Sequence, residues 1–143
     1  MAEITFHIEN IEVPDHDPEF LVSWICGIAK ELNRSIGKLS YIFCSDDYIL
    51  DINKQYLGHD YYTDIITFNY NQNRIVCGDI FISVDTVRSN AVEYSDGDFV
   101  EELRRVIIHG VLHLFGYNDK SDAEQNEMTR MEDWALGLVE SFT

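Results

Sequence analysis

The sequence is poor in basic residues, with 10 lysines and arginines against 26 aspartates and glutamates and a formal net charge of −16. An acidic surface of this kind repels polyanions at long range. Affinity for a nucleic-acid backbone comes mainly from lysines and arginines that neutralise phosphates. The composition therefore argues against loose, sequence-independent nucleic-acid binding. An RNA substrate must be held by a local site, where a bound divalent cation would supply part of the attraction.

Cysteines are few and long apolar runs are absent. Cys26, Cys44 and Cys77 are far apart and lie in apolar segments, so we expect reduced core residues without a redox or metal role. No segment approaches the ~20 apolar residues that a membrane span needs. The first ten residues have neither the basic nor the apolar region of a secretory signal. We therefore expect a cytoplasmic protein with no membrane partner.

Only two prolines occur among the 143 residues, and no repeat or long linker divides the chain. The hydrophobic periodicity predicts one domain over residues 1–143, of class α/β (α+β). Its sheet should be mixed and four-stranded, with an antiparallel hairpin around residues 71–73 and about five helices packed against it. The predicted strands cover residues 3–9, 39–46, 60–70 and 74–85, with a turn that contains Ser35 and Gly37 before the second strand. The predicted helices run from Pro18 to Leu32 or Asn33, from Ser45 to Gly58, from Asp85 to Tyr94, through the segment 101–116, and after Ser121. We expect helix caps at Asp17, Ser45, Asp85 and Ser121, a turn-rich connection with Pro14 before the first helix, and a break at 95–98 before the central helix.

The segment 101–119, EELRRVIIHGVLHLFGYND, carries two histidines one helical turn apart. His109 and His113 project from the same side of a helix, which is a spacing that a single metal ion can bridge. Gly116 can adopt the left-handed conformation that ends a helix. The chain would then fold back and bring Asp119 toward the imidazoles as a third ligand. We expect the site at the end of this central helix.

Two histidines at this spacing also arise by chance, and the alternative is a pair of half-buried imidazoles bonded to the backbone. The glycine stop and the acidic residue beyond it favour a metal. The other histidines are scattered and are interpreted as surface or edge residues: His7, His16 and His59.

Three protein ligands leave one coordination position for water, as in catalytic rather than structural zinc sites. We therefore expect one divalent ion, with zinc as the first candidate, that activates water or polarises a phosphoryl oxygen. The metalloprotease motif H-E-x-x-H has its general base directly after the first histidine, whereas this chain has Gly110 there, which argues against a peptidase. Glu102, two turns before His109, is a tentative catalytic residue that could orient a ligand or water. As a first-turn glutamate it is explained more simply by the helix dipole.

Three ordered motifs resemble the YbeY family of bacterial metal-dependent endoribonucleases, also described as rRNA maturation factors. Residues 109–119 resemble the family pattern H-G-x-L-H-L-x-G-Y-D-H, residues 51–68 resemble its Asn, Tyr-Arg-Gly, Thr-Asp and Ser-Phe stretch, and residues 78–83 resemble its Gly-Asp-Ile strand. The resemblance covers nearly the whole chain. It implies a single-strand-specific endoribonuclease that matures the 3′ end of small-subunit rRNA, acts in ribosome quality control, and has rRNA and the ribosome or its proteins as partners.

The chain departs from the family pattern at three positions. Asp119 replaces the usual third histidine, Asn118 stands where the family usually has Asp, and Leu57 replaces an arginine linked to RNA binding or catalysis. A carboxylate is a legitimate zinc ligand, but an anionic one leaves the site less positive and tolerates harder divalent metals better. Residues that could contact phosphate in place of the arginine, but that are interpreted first as solvated surface charges, are Arg74, Arg104, Arg105 and Lys120.

Alternatives from other classes remain open at this point. The chain could hydrolyse another substrate with its metal, or it could be a ribosome-assembly partner whose ion only holds the loop after Gly116. Three further polar residues are interpreted as structural at least as readily as substrate-contacting: Thr63, Asp64 and Asp79.

Overall fold

A mixed four-stranded sheet forms the centre of the computed structural model, which describes residues 2–13, 16–94 and 96–142. The strand order is β1-β2-β4-β3, with β1, β2 and β4 mutually parallel and β3 antiparallel to β4. The strands are β1 (Glu3–Glu9), β2 (Ser35–Cys44), β3 (Ile65–Asn69) and β4 (Ile75–Ser83). The predicted fold class and the β3–β4 hairpin are confirmed.

Five α-helices occur in the described part of the chain; four of them contact this sheet, and the last packs on the fourth. They are α1 (Pro18–Glu31), α2 (Asp46–Ile52), α3 (Val84–Tyr94), α4 (Phe99–Leu114) and α5 (Asp122–Gly137). A π-helical turn (Asn53–Leu57) extends α2, and Gly58 ends it with a φ of 68°. Asp17, Ser45 and Ser121 cap α1, α2 and α5 as predicted. No helix among these described segments is both long and apolar enough to cross a membrane.

Two strands differ from the predicted bounds by more than two residues at one end. We expected a turn at Ser35 and Gly37, but β2 already pairs with β4 at Ser35 and Ile36, and the register shifts between Ile36 and Leu39. A Cβ at Gly37 would lie 2.7 Å from the Cys77 sulfur, so this glycine permits a close approach of two strands rather than a turn. The strand predicted for residues 60–70 is ordered as β3 only from Ile65, because the residues before it form the loop that crosses to the sheet.

The start of α3 also differs from the prediction. Asp85 was expected to cap this helix, but it lies in the first turn and its Oδ2 accepts a hydrogen bond from the Asp46 backbone at 2.9 Å. The Ser83 hydroxyl instead accepts from the Thr86 backbone at 3.3 Å. A hydroxyl three residues before the orphan N–H fits the capping geometry better than a carboxylate that already has a partner. Pro14, in the predicted connection before α1, and Ser95, in the predicted break before α4, lie outside the described residues.

The buried face of α4 lies directly on the sheet beside the two histidines. A Cβ at Gly110 would approach Ile65 and Ile80 side-chain carbons to 2.9 Å, so the absence of a side chain lets the helix approach β3 and β4 closely. The Tyr41 hydroxyl on β2 donates to the Ile107 carbonyl at 3.0 Å. These contacts fix the rotation of α4 and therefore the direction in which His109 and His113 point.

Candidate metal centre

The C-terminus of α4 ends in a Schellman motif that folds the chain back. Gly116 has a φ of 106°, in the left-handed region that side chains rarely adopt. The Tyr117 N–H donates to the Leu112 carbonyl and the Gly116 N–H to the His113 carbonyl, both at 3.0 Å. As the glycine position predicted, this turn directs the following residues toward the imidazoles.

Three potential ligand atoms converge at this turn. His109 Nε2 and His113 Nε2 lie 3.0 Å apart, and Asp119 Oδ2 lies 3.5 Å from the first and 3.4 Å from the second. Tetrahedral coordination at zinc–ligand distances near 2.0–2.1 Å requires ligand atoms about 3.3 Å apart. Two imidazole nitrogens and a carboxylate oxygen with these separations fit one divalent transition-metal ion. Within the described segments, this is the group of His, Cys, Asp and Glu side chains with the geometry to hold a metal.

A buried carboxylate from α5 orients the first histidine. Glu132 Oε2 accepts a hydrogen bond from His109 Nδ1 at 2.6 Å, and its Oε1 forms an ion pair with Arg105 at 2.9 Å. Arg105 also pairs with Asp133 at 2.8 Å. Because Nδ1 of His109 is the donor, its Nε2 keeps the lone pair that a metal needs. Each carboxylate oxygen of Glu132 therefore has a hydrogen-bond partner, as a buried carboxylate requires.

The surroundings shift the pKa values of the two histidines in opposite directions. Burial alone would lower the pKa of His109, but the hydrogen bond and charge of Glu132, helped by Asp119 and Asp64, outweigh burial and raise it. Burial and the neighbouring His109 lower the pKa of His113, and Asp119 and a backbone hydrogen bond with Tyr117 only partly offset them. His113 is therefore the ring held more strongly in its neutral, metal-binding form. His109 is the ring whose charged form is favoured by the neighbouring carboxylate of Glu132.

Glu132 is the residue that the sequence analysis missed. It lies on the apolar face of α5, where the other buried residues are Met128, Met131 and Ala135. A lone charged residue on the buried side of an amphipathic helix is the signal that could have found it, since such a residue needs a partner. The residue proposed for orientation, Glu102, is also buried but lies in the first turn of α4, about 10 Å along the helix from His109. It is not part of the converging group.

The other predicted polar residues are distributed unequally around this centre. Asp64 is near enough for its charge to raise the pKa of His109, whereas the Thr63 hydroxyl bonds locally to the Ile65 carbonyl at 3.3 Å. Asp79 interacts with Tyr70 in a separate groove. Among the basic candidates, Arg105 is held by its two carboxylates and Arg104 lies 4.5 Å over the Phe20 ring. Exposed cations remain at Arg74 and Lys120.

The remaining histidines and cysteines do not join the centre. His7 and His59 are exposed as expected. His16 was expected at the surface or at an edge, but its ring packs edge-on against Phe43 at a centroid distance of 4.9 Å, because the aromatic side chains of β1 and β2 leave an apolar slot there. The three cysteines are free thiols, and burial, with nearby carboxylates, raises the pKa of Cys44 to about 12. Cys44 is therefore an unreactive core thiol as expected, whereas Cys26 and Cys77 are only partly buried.

The fold and this centre define a class: an α/β domain with a histidine-histidine-carboxylate group of the kind found in metal-dependent hydrolases. Comparison with known proteins gives the family. The family model described as Endoribonuclease YbeY matches residues 3–139. A protein from Phocaeicola vulgatus named Endoribonuclease YbeY is 48% identical over 95% of this chain and 98% of its own length. One from Parabacteroides distasonis with the same name is 47% identical over 95% of each chain.

A solved structure has a similar fold. The solution structure of TM1509 from Thermotoga maritima is similar, with a TM-score of 0.69 and 30% identity over 94% of this chain and 88% of that one. The chain belongs to the endoribonuclease YbeY family, and the resemblance noted from its three motifs is confirmed.

Proposed function

We propose that this protein is a metal-dependent endoribonuclease that cleaves single-stranded RNA, with one divalent ion held by His109, His113 and Asp119. The observation that carries the proposal is the convergence of three ligand atoms at 3.0, 3.4 and 3.5 Å in a member of an endoribonuclease family. Zinc is the expected ion, because two imidazoles and one carboxylate suit it and leave one position open.

The residues around the centre divide the chemical task. An ion bound there would supply Lewis-acid activation of water and of the phosphate group. Glu132 holds the His109 ring with its Nε2 directed at the site, and Arg105 compensates the charge of Glu132. The ligands contribute one negative charge, from Asp119, so a divalent ion would leave the centre locally positive and attractive to a phosphate despite the net charge of −16.

The finer biological role belongs to the same proposal. We infer that the substrate is ribosomal RNA, that the enzyme acts in small-subunit rRNA maturation in the cytoplasm, and that its partners are the ribosome or its proteins. The family match over residues 3–139 supports one catalytic domain. No observation favours a non-nuclease assembly partner or a hydrolase of another substrate, since the similar proteins share the name endoribonuclease.

Metal analysis combined with RNA cleavage tests the proposal. Protein purified without chelator should contain about one zinc or similar divalent ion per chain and should cleave single-stranded ribosomal precursor RNA. His113→Ala and His109→Ala should lose the ion and reduce the cleavage rate by more than about 100-fold, beyond the range for residues that only support a ligand. The measurements are elemental analysis and the rate of product formation on gels.

His7→Ala is the matched control, because it removes an exposed histidine on β1 that is remote from the centre. It should keep both the ion and the activity. Equal cleavage by the native protein and His113→Ala would point to a contaminating nuclease or another site, and a native protein without any stoichiometric ion would refute metal dependence.

A further inference from the structure

The segment before β3 exposes several aromatic side chains close together. We define the aromatic surface as His59, Tyr61 and Tyr62; its two tyrosines are 56% and 57% exposed in that order. Aromatic rings in a folded chain contribute most when they are buried, so exposed rings concentrated in four residues indicate a binding role.

These rings are held in place rather than free. The His59 and Tyr61 rings stack at a centroid distance of 5.1 Å and an interplanar angle of 18°, and the Tyr61 hydroxyl is hydrogen-bonded to His59 Nδ1 at 3.0 Å. Asn53, which is 2% exposed, donates from its side chain to the Tyr61 carbonyl at 2.9 Å. The Asn53 carbonyl accepts from the His59 N–H at 3.1 Å. A buried amide therefore fixes the loop, and little conformational entropy remains to be lost on binding.

The aromatic surface is linked to the metal centre through Ile65 and Asp64. His59 and Tyr61 line a groove of about 270 Å³ together with Ile65 on β3. Ile65 lies against Gly110, next to His109 on α4, and Asp64 is near enough to influence the pKa of His109. A substrate strand whose phosphate reaches the centre would therefore pass over the exposed rings.

The chemistry of the groove favours bases over phosphates. No lysine or arginine is among the residues that line it, and Lys54 nearby is paired with Asp60 at 3.3 Å. Stacking on aromatic rings needs no positive charge and tolerates any base, because every base has a π face. A basic protein would suit the acidic charge of the chain and could place a lysine or arginine over these rings, but the ion proposed for the neighbouring centre would repel such a cation.

We propose that the aromatic surface binds unpaired bases of single-stranded RNA by stacking, with Tyr61 as the main contact, next to the phosphate that is cleaved. This inference rests on the proposed function and specifies its substrate class, since a paired base does not expose its face. It also explains how an enzyme with Leu57 in the same groove retains an RNA strand: the strand is held through its bases where the local positive charge is low.

Fluorescence anisotropy with two probes tests the stacking directly. One probe is a fluorescein-labelled 12-nucleotide adenosine RNA, and the other is the same backbone with abasic riboses; gels verify that both stay intact. Tyr61→Ala should weaken binding of the adenosine probe about tenfold, since one lost stack is worth roughly that factor. Tyr61→Trp should restore it to within about twofold, because the larger ring keeps a stacking face. The abasic probe should bind weakly to all variants.

Tyr70→Ala is the matched control, because Tyr70 is also 57% exposed but lies beyond the opposite end of β3. It should leave the adenosine probe unaffected. The inference is overturned if Tyr61→Ala binds like the native protein, if it loses the abasic probe equally, or if Tyr70→Ala has the same effect. A decalysine peptide that binds through Tyr61 while RNA does not would assign the surface to a basic protein instead.

The proposed function can fail separately. If the native protein binds adenosine RNA through Tyr61 but does not cleave ribosomal precursor RNA, the nuclease proposal fails and the stacking surface remains. If it cleaves that RNA while Tyr61→Ala changes neither the dissociation constant nor the KM, the nuclease remains and the stacking surface fails.

Discussion

Two clusters of polar side chains in this molecule contain carboxylates, but their hydrogen bonding is opposite. In the strand-end cluster of Asp46, Ser83, Asp85 and Thr86, carboxylate oxygens receive donors: Ser83 and Thr86 hydroxyls both donate to Asp46, the second at 2.8 Å. In the histidine cluster of His109, His113 and Asp119, two ring nitrogens and a carboxylate oxygen, all of which can act as acceptors, face one another at 3.0–3.5 Å.

The difference separates a structural polar cluster from a ligand site. Acceptors that meet donors stabilise the fold and need nothing further. Acceptors that converge on one another repel unless a cation or a proton stands between them, so their convergence indicates a ligand. Glu132 strengthens this contrast. It accepts a hydrogen bond from His109 Nδ1, so the lone pair on Nε2 of the same ring is directed into the cluster.

Among the substitutions that test the difference between the two clusters, Glu132→Gln should have the largest effect. An amide offers one acceptor where the carboxylate offers two, so its N–H group must face either Arg105 or His109 Nδ1. If it faces His109, the proton moves to Nε2 and the ligand lone pair is lost. Metal affinity should fall about 10–100-fold, measured by competition with a chromophoric chelator.

Asp133→Asn is the control for this substitution, because it touches Arg105 alone and its side chain is 62% exposed. Its metal affinity should stay close to native. An unchanged affinity in Glu132→Gln would show that the His109 ring is oriented without the carboxylate.

The strand-end cluster should respond in stability and not in metal content. Ser83→Ala removes a fully buried hydroxyl that donates to Asp46 and accepts from the Thr86 backbone. The free energy of unfolding in urea should fall by about 1–2 kcal/mol, which is the usual range for a lost cap and a buried hydrogen bond. Ser89→Ala, on the exposed side of α3, is the control. A lower metal content in Ser83→Ala would mean that the two clusters are not independent.

Asp119→His should have the smallest effect on the histidine cluster. An imidazole keeps three ligands and restores the residue usual in the family, so metal binding should be retained, with affinity equal to native or up to about tenfold tighter. Isothermal titration with zinc checks this. Weaker binding would mean that the loop after Gly116 is specific to the shorter carboxylate, or that Asp119 does not bind the ion.

Local rules explain why much of this molecule was predictable. The helix period places His109 and His113 on one face, Gly116 ends α4 with a positive φ, and Asp17, Ser45 and Ser121 cap helices, all through contacts within a few residues. The predicted element bounds and caps were wrong where contacts between distant segments decide the structure. The start of β2 depends on pairing with β4, and the cap of α3 depends on Asp46 taking the carboxylate of Asp85.

The sequence by itself determined the element order, the paired histidines and the returning turn, because each follows from spacing along a single helix or strand. Only the tertiary structure decided that Glu132, 23 residues from His109, supports it, and that the aromatic surface borders the centre. Those relations exist because α5 packs on α4 and Ile65, at the start of β3, lies against Gly110. Packing of separate elements brings together residues whose distance in sequence carries no signal of their proximity.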